Sequence, residues 1–303
     1  MKNYIYDINI DNVLVCYEIY NQYFFDKLTT LPIGERYDLY DCYLLRVEGK
    51  DFENVFQIWY DELGEDLLFG ELRFGINKED DESNTHTSDK RKAWISIDNR
   101  VLYGGDFYYL DFISLLLNLE YDNITLMDLC LDITMDIAKY LKQLMMRKDL
   151  DVIINGKKVK DKAQLTQEIS YIYSNSLNKN KDLTLNIKNS RDCSLMAYNK
   201  KDEIENSSSQ KHITDLYGNP KRLFRLGIHL NRDELNDYLT NTKTEFNLCS
   251  LYNKKILFSI FFHALEGIIR FERNGKRIDW WDILDRKITS GKKEEKKNSK
   301  TAN

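Results

Sequence analysis

The stretch Leu126-Met-Asp-Leu-Cys-Leu-Asp132 decides how this chain is read. Taken as a strand, it puts Leu126, Asp128, Cys130 and Asp132 on one face and Met127, Leu129 and Leu131 on the other. The same period of two runs through Leu223-Phe-Arg-Leu-Gly-Ile-His-Leu230. There Phe224, Leu226, Ile228 and Leu230 make an apolar face, and Arg225, Gly227 and His229 a polar one. In the segment before it, Ser194, Met196, Tyr198 and Lys200 share a face. Laid side by side, these strands would bring Tyr198, Arg225, His229, Asp128 and Asp132 to one surface, although sequence fixes neither their adjacency nor their facing. Two acids on one face of an apolar strand are costly unless paired or bound to a metal. Hard oxygen ligands of this kind suit Mg2+ or Mn2+. The alternative is a solvated strand end at which both acids salt-bridge to lysines.

Working outward, strands are expected over 41–47, 72–76, 94–97, 183–188 and 195–199, and a hairpin around Asn155-Gly156. Helices are expected over 110–119, 133–146 (with Asp136 near its start), 164–173 and 255–269, with a shorter one from about 279. Asn231 reads as the N-cap of another, followed by Asp233 and Glu234. Asn54 reads as a cap too, for a helix carrying Val55, Phe56, Trp59, Tyr60 and Leu63 along one stripe. The polar run 77–92 reads as a mobile loop. Helices and strands mix without regular βαβ alternation, which predicts an α+β fold: a mostly antiparallel central sheet flanked by helices. Residues 1–93 form the acidic N-terminal α/β part of that fold, and residues 94–285 its core. The run 286–303, with seven positive charges against two, is expected to be a disordered basic tail.

At 303 residues with 42% hydrophobic content, the chain can bury a real core. Its net charge of −5 is unevenly spread. Residues 1–138 carry 11 Lys/Arg against 28 Asp/Glu, residues 139–225 carry 18 against 10, and residues 226–303 carry 15 against 11. A polyanion would therefore meet the middle and C-terminal thirds. The five cysteines are scattered and form no CxxC pair, which argues against a disulfide scaffold or structural zinc. The N-terminus lacks the apolar core of a signal peptide, and the apolar window 256–269, broken by His263 and Glu266, is too short to span a bilayer. A soluble protein of the bacterial cytoplasm is expected.

Tyr198 stands in Ser194-Leu-Met-Ala-Tyr-Asn-Lys-Lys-Asp-Glu203, at the end of an apolar run with basic and acidic residues behind it. A phenol so placed can attack a phosphodiester while lysines hold the phosphate and a carboxylate-bound metal polarises it. With 20 tyrosines in the chain, packing is the ordinary role of any one of them.

The ordered strings LMDLCLD, TLNIKNSRDCSLMAYNKKDE and KRLFRLGIHLN, the last followed by a helix, resemble the Rep_trans family of rolling-circle replication initiators from plasmids and phages, over residues 94–285. Ile97-Asp-Asn-Arg-Val-Leu-Tyr103 upstream and Ile268-Ile-Arg-Phe271 at the close also resemble versions from Bacteroidetes phages and plasmids. The resemblance implies a protein that binds an origin, single- or double-stranded, and nicks one DNA strand. Tyr198 would be the nucleophile, with Lys200 and Glu203 beside it, and the tyrosine would keep the 5′ phosphate while a free 3′ hydroxyl primes synthesis. It also implies Asp128 and Asp132 as ligands of Mg2+ or Mn2+. Lys188, Arg191, Lys201 and Arg225 are then the candidate DNA contacts, and a host helicase or polymerase and a second copy of the chain are further candidate partners. The pattern is departed from at Leu126, where the family has arginine, at Asn189, where it has glycine, and at Gly227, where it has glutamate. His229, two residues on and facing the same way, and Glu203 are the nearest substitutes as metal ligand.

Rival classes fare worse. His86, His212, His229 and His263 are isolated, so the His-hydrophobic-His pair of another nickase class is absent. Tyrosine recombinases place their tyrosine after the Arg/His cluster, whereas Tyr198 precedes Arg225 and His229. No P-loop GxxxxGK[ST] occurs. The serious alternative is a non-enzymatic origin-binding protein that recruits replication machinery; a phage structural or host-interaction protein would account for the acidic first third but not for the ordered motifs.

Overall fold

The computed structural model describes residues 5–50, 52–62, 64–77, 91–105, 108–160, 169–173, 183–188, 193–207 and 210–280. Its backbone packing groups the chain into two units: Met1–Asn9, Leu129–Asn241 and Lys254–Asn303 in the first, Ile10–Asp128 and Thr242–Asn253 in the second. The fold is α+β, with paired antiparallel strands in both units. Strands β1 (Ile5–Ile19) and β7 (Leu119–Ile133) each contribute to both. No helix among the described residues is long and apolar enough to cross a membrane.

In the second unit the strand order is β7, β1, β6 (Lys92–Ile97), β5 (Glu65–Asn77), β4 (Phe52–Glu62), β3 (Cys42–Val47), β2 (Arg36–Leu39). Alternation in these strands buries Val15, Leu44, Phe56, Ile58, Leu72, Phe74 and Ile95. Helix α1 (Gln22–Thr29) packs there through Phe25, whose ring meets Phe74 edge-on at 4.8 Å. The unit is completed by α2 (Asn99–Gly104), which Asp98 caps through the Arg100 amide, and by α3 (Tyr108–Leu116).

The first unit carries β10 (Ile169–Tyr173), β11 (Leu183–Lys188), β12 (Ser194–Asn199), β13 (Phe224–Asn231) and β7, in that order. Leu185, Ile187, Leu195, Ala197, Leu226 and Ile228 face inward under α4 (Ile137–Met146) and α8 (Lys254–Ile268). Asp136 caps α4 by accepting from the Lys139 amide at 2.9 Å. Beyond β12 come α5 (Lys200–Ser207) and α6 (Lys211–Leu216). Asn231 caps α7 (Arg232–Thr242), as expected, through the Glu234 amide at 3.1 Å. A smaller sheet joins two hairpins in the order β15 (Lys276–Ile278), β14 (Ile269–Arg273), β8 (Asp151–Ile154), β9 (Lys157–Lys158). Both hairpins turn on an Asn-Gly pair with positive φ, Asn155-Gly156 as predicted and Asn274-Gly275 besides.

Three expectations are corrected. The helix from Asn54 is instead β4, in which Phe56, Ile58 and Tyr60 are buried with a period of two. Val55, Phe56, Trp59 and Tyr60 fit a helical stripe equally well, but so dense a run of aromatic and β-branched residues favours a pleated, two-sided surface. Asn54 accepts from Arg46 rather than capping anything. The helix over 164–173 is contradicted at Ile169–Tyr173, which pairs with β11 through Ser170 opposite Asn186, while 164–168 lies outside the described residues. Ile133, expected to open a helix, ends β7. Of the loop expected over 77–92, Asn77 ends β5 and Lys92 opens β6, while 78–90 lies outside the described residues, as do the helix after 279 (beyond Trp280) and the basic tail.

Candidate active site

The adjacency that sequence left open is realised on β12 and β13. Tyr198 pairs with Arg225, Met196 with Gly227 and Ser194 with His229, so these six side-chain positions lie on one face of the first unit's sheet. Strand β7 is the next neighbour of β13. Asp132, at its end, meets Arg225 in a two-pronged ion pair: Nε to Oδ1 at 2.7 Å and Nη2 to Oδ2 at 2.9 Å. Both side chains are at most 2% exposed. The planar guanidinium matches the carboxylate fork and compensates two charges that could not be buried separately.

The network continues to residues that sequence reasoning missed. The Tyr217 hydroxyl donates to Asp132 Oδ2 at 3.1 Å and accepts from Asn9 Nδ2 at 2.6 Å. Burial, and then the negative charge of Asp132, push the Tyr217 phenol well above its ordinary range, with Arg225 opposing them. Tyr217 thus holds the Asp132 carboxylate through a donated hydrogen bond. Neither Tyr217 nor Asn9 has a local signature, because the partners are 85 and 208 residues apart.

The Tyr198 motif is also resolved into parts. Asn199 caps the start of α5, accepting from the Asp202 amide at 3.3 Å. Lys200, the first residue of that helix, is 1% exposed and lies 6.0 Å from the Tyr198 ring centroid. Its ammonium is compensated by Glu203 at 2.8 Å and by the Gln210 side-chain oxygen. The i,i+3 spacing of Lys200 and Glu203 is what one helical turn requires for that contact. Tyr198 itself is half-buried.

Several assigned roles change with this geometry. Arg225 is fully engaged with Asp132 and buried, so it is a scaffold cation rather than a DNA contact. Asp132 already accepts three hydrogen bonds from Arg225 and Tyr217, which does not fit a metal ligand. Lys201 folds back on Pro220, donating to its carbonyl at 2.9 Å, with Glu205 at 3.8 Å. Asp128 is half-buried on the same side of β7 as Asp132, and His229 is half-buried opposite Ser194. No group of three or more His, Cys, Asp or Glu side chains able to hold a metal ion occurs among the described residues. Lys188 is exposed at the end of β11, and Arg191 lies outside the described residues.

No family model and no curated protein matches the chain. Its functional reading therefore rests on the order of its motifs and on this geometry. Chemically, the arrangement offers a phenol on a sheet face, a buried ammonium beside its ring and a rigid ion pair opposite. A positive charge near a phenol favours the phenolate and any anion that approaches it.

Proposed function

We propose that the protein binds a replication origin and cuts one DNA strand through Tyr198. The Tyr198 oxygen attacks the phosphorus as its proton passes to solvent. The bond from phosphorus to the 3′ oxygen breaks, and that oxygen leaves as a hydroxyl after taking up a proton. The 5′ phosphate stays on the tyrosine, and reversal of the step religates the strand. The observation that carries this reading is the placement of Tyr198 opposite Arg225, with the buried Lys200 ammonium 6.0 Å from its ring. An apolar packing role for Tyr198 does not call for a buried cation beside it. In the proposal Lys200, buried and paired, contacts no DNA, and its positive charge beside the Tyr198 ring favours the phenolate. Glu203 holds that ammonium in place. Mg2+ or Mn2+ enters as a variable of the assay, since Asp132 is engaged by Arg225 and Tyr217.

The test incubates the wild type and Tyr198→Phe with a supercoiled plasmid carrying the DNA that flanks the chain's own reading frame. Each reaction is run with and without Mg2+ or Mn2+. Wild type is expected to relax the plasmid and form an adduct that survives denaturing electrophoresis, and the variant to do neither. A second reading, a protein that holds the origin without cutting it, is favoured by the engagement of Asp132 with Arg225 and by glycine at 227. Tight, sequence-selective DNA binding with no adduct under any metal condition would establish that reading instead.

A further inference from the structure

Gly227 occupies a place where nothing among the described residues requires a glycine. It lies mid-strand in β13, and its φ is outside the left-handed region. Among the described residues, a Cβ built there would meet just the Leu129 carbonyl oxygen, at 3.9 Å. Glycine weakens a strand, both by its backbone freedom and by packing nothing, and where neither bend nor bulge calls for it the remaining reason is close approach of something else. That space lies on the Tyr198 side of the sheet, because Gly227 is opposite Met196, two pairs along from Tyr198 and Arg225.

The surroundings of that space have a consistent chemistry. One row across three strands reads Asn186, Met196, Gly227, and the next reads Lys188, Ser194, His229. Met196 is 38% exposed, unusual for a thioether in a sheet. Asn186 Oδ1 is buried and has no hydrogen-bond partner among the described residues, a costly state for an amide oxygen unless a ligand supplies the donor. Lys188 is exposed and makes no ion pair among the described residues. The Asn155 amide donates to the Lys188 carbonyl at 3.0 Å, which brings the β8–β9 hairpin tip, with exposed Lys157, to the same edge. An apolar, side-chain-free floor, an amide with unmet capacity and a cationic rim match the three parts of a nucleotide: base face, base edge and phosphate.

We infer that the Asn186–Met196–Gly227 row is a nucleotide subsite. A base of single-stranded DNA beside the cut phosphate lies over Gly227 against Met196, its edge is bonded by Asn186, and a neighbouring phosphate is held by Lys188. This rests on the reading of Tyr198 as acting on DNA. It makes glycine at 227 a determinant of substrate binding, acquired at the expense of strand stability.

The experiment measures binding of a fluorescent random-sequence single strand, together with Tm, for the wild type, Gly227→Thr, Gly227→Ala, Asn186→Ala and Lys188→Ala. Gly227→Thr is expected to hold or raise Tm while weakening binding by about fivefold to a hundredfold, the range associated with losing one stacked base. Asn186→Ala is expected to weaken binding in the same direction. Lys188→Ala should reduce the slope of log affinity against log salt by about 0.7, one single-strand phosphate contact. If Gly227→Thr fails to fold, Gly227→Ala decides by the same comparison. Wild-type affinity in a folded Gly227 variant overturns the subsite and leaves the Tyr198 reading standing. Failure of the wild type to bind single strands or duplex overturns both, and binding to duplex alone overturns the subsite.

Discussion

The two units are built from similar antiparallel sheets but treat charge in opposite ways. In the second unit the buried polar side chains among the described residues are neutral: Asn54, Ser114 and Ser250. Its core is aliphatic and aromatic, with Phe56 and Phe74 stacked at 5.8 Å and Phe25 against Phe74. The first unit buries Asp132, Arg225 and Lys200, all on the Tyr198 side of its sheet or at the helix that follows. Well-packed apolar residues of similar volume often serve stability as well as a buried ion pair or better. A fold that can build an apolar core in one unit and keeps three buried charges in the other points to a demand on that face beyond folding.

The largest effect that could break this contrast comes from Arg225→Met. It leaves the Asp132 carboxylate buried without its cation and should cost about 3–5 kcal/mol, read by urea denaturation. Adding Asp132→Leu should recover much of that loss. If the single variant is as stable as wild type, the pair is not the buried compensation described above. Thiol labelling localises the damage. Burial pushes the Cys193 thiol up to about 12 in the first unit and the Cys42 thiol up to about 11 in the second. Both are shielded in the native protein, so in Arg225→Met at low urea Cys193 should gain reactivity before Cys42. Equal labelling of the two would erase the distinction between units.

A middle-sized effect is expected from Glu203→Gln, which removes the counter-charge of Lys200 but leaves Gln210. The cost should be about 1–3 kcal/mol, and any adduct formation by Tyr198 should fall further than stability does. A loss of stability with unchanged adduct yield would make Lys200 purely structural.

The smallest effect concerns Tyr217→Phe, which removes one hydrogen bond to Asp132 and should cost about 1 kcal/mol near neutrality. Its sign with pH is distinctive. The folded phenol is held above the ordinary value of 10.0, so its stabilisation is complete below pH 10 and is lost as the unfolded chain ionises above it. Denaturation curves at about pH 8 and about pH 11 should show the gap between wild type and variant closing on the alkaline side by about 1 kcal/mol or more. A gap independent of pH would mean that Tyr217 is not titration-shielded in the native state.

How much of this was legible in the sequence follows from the range of each interaction. The strands over 126–132, 195–199 and 223–230 and their faces could be read from alternation, because pleating fixes that period within a few residues. The Asn-Gly hairpin and the Asn231 cap were legible for the same local reason. The segment from Asn54 was not, since its aromatic and β-branched residues fit both periods and the choice between them was made by β3 and β5 on either side. At the candidate site, Tyr198 and Lys200 were visible as neighbours in the chain, whereas the ion-pair partner of Arg225 lies 93 residues away and Asn9 lies 208 from Tyr217.

By itself, then, the sequence determined which residues alternate, which cap, and which chemistry is present, because those are set by backbone geometry and side-chain type over one turn or a few residues. Tertiary structure alone decided the state of that chemistry. It turned Arg225 and Asp132 from candidate DNA and metal contacts into each other's compensation, buried Lys200 beside Tyr198, and left the space over Gly227 open among the described residues. Charges in a low-dielectric interior are assigned by whichever opposite charge folding brings within about 3 Å, and no local pattern encodes that distance.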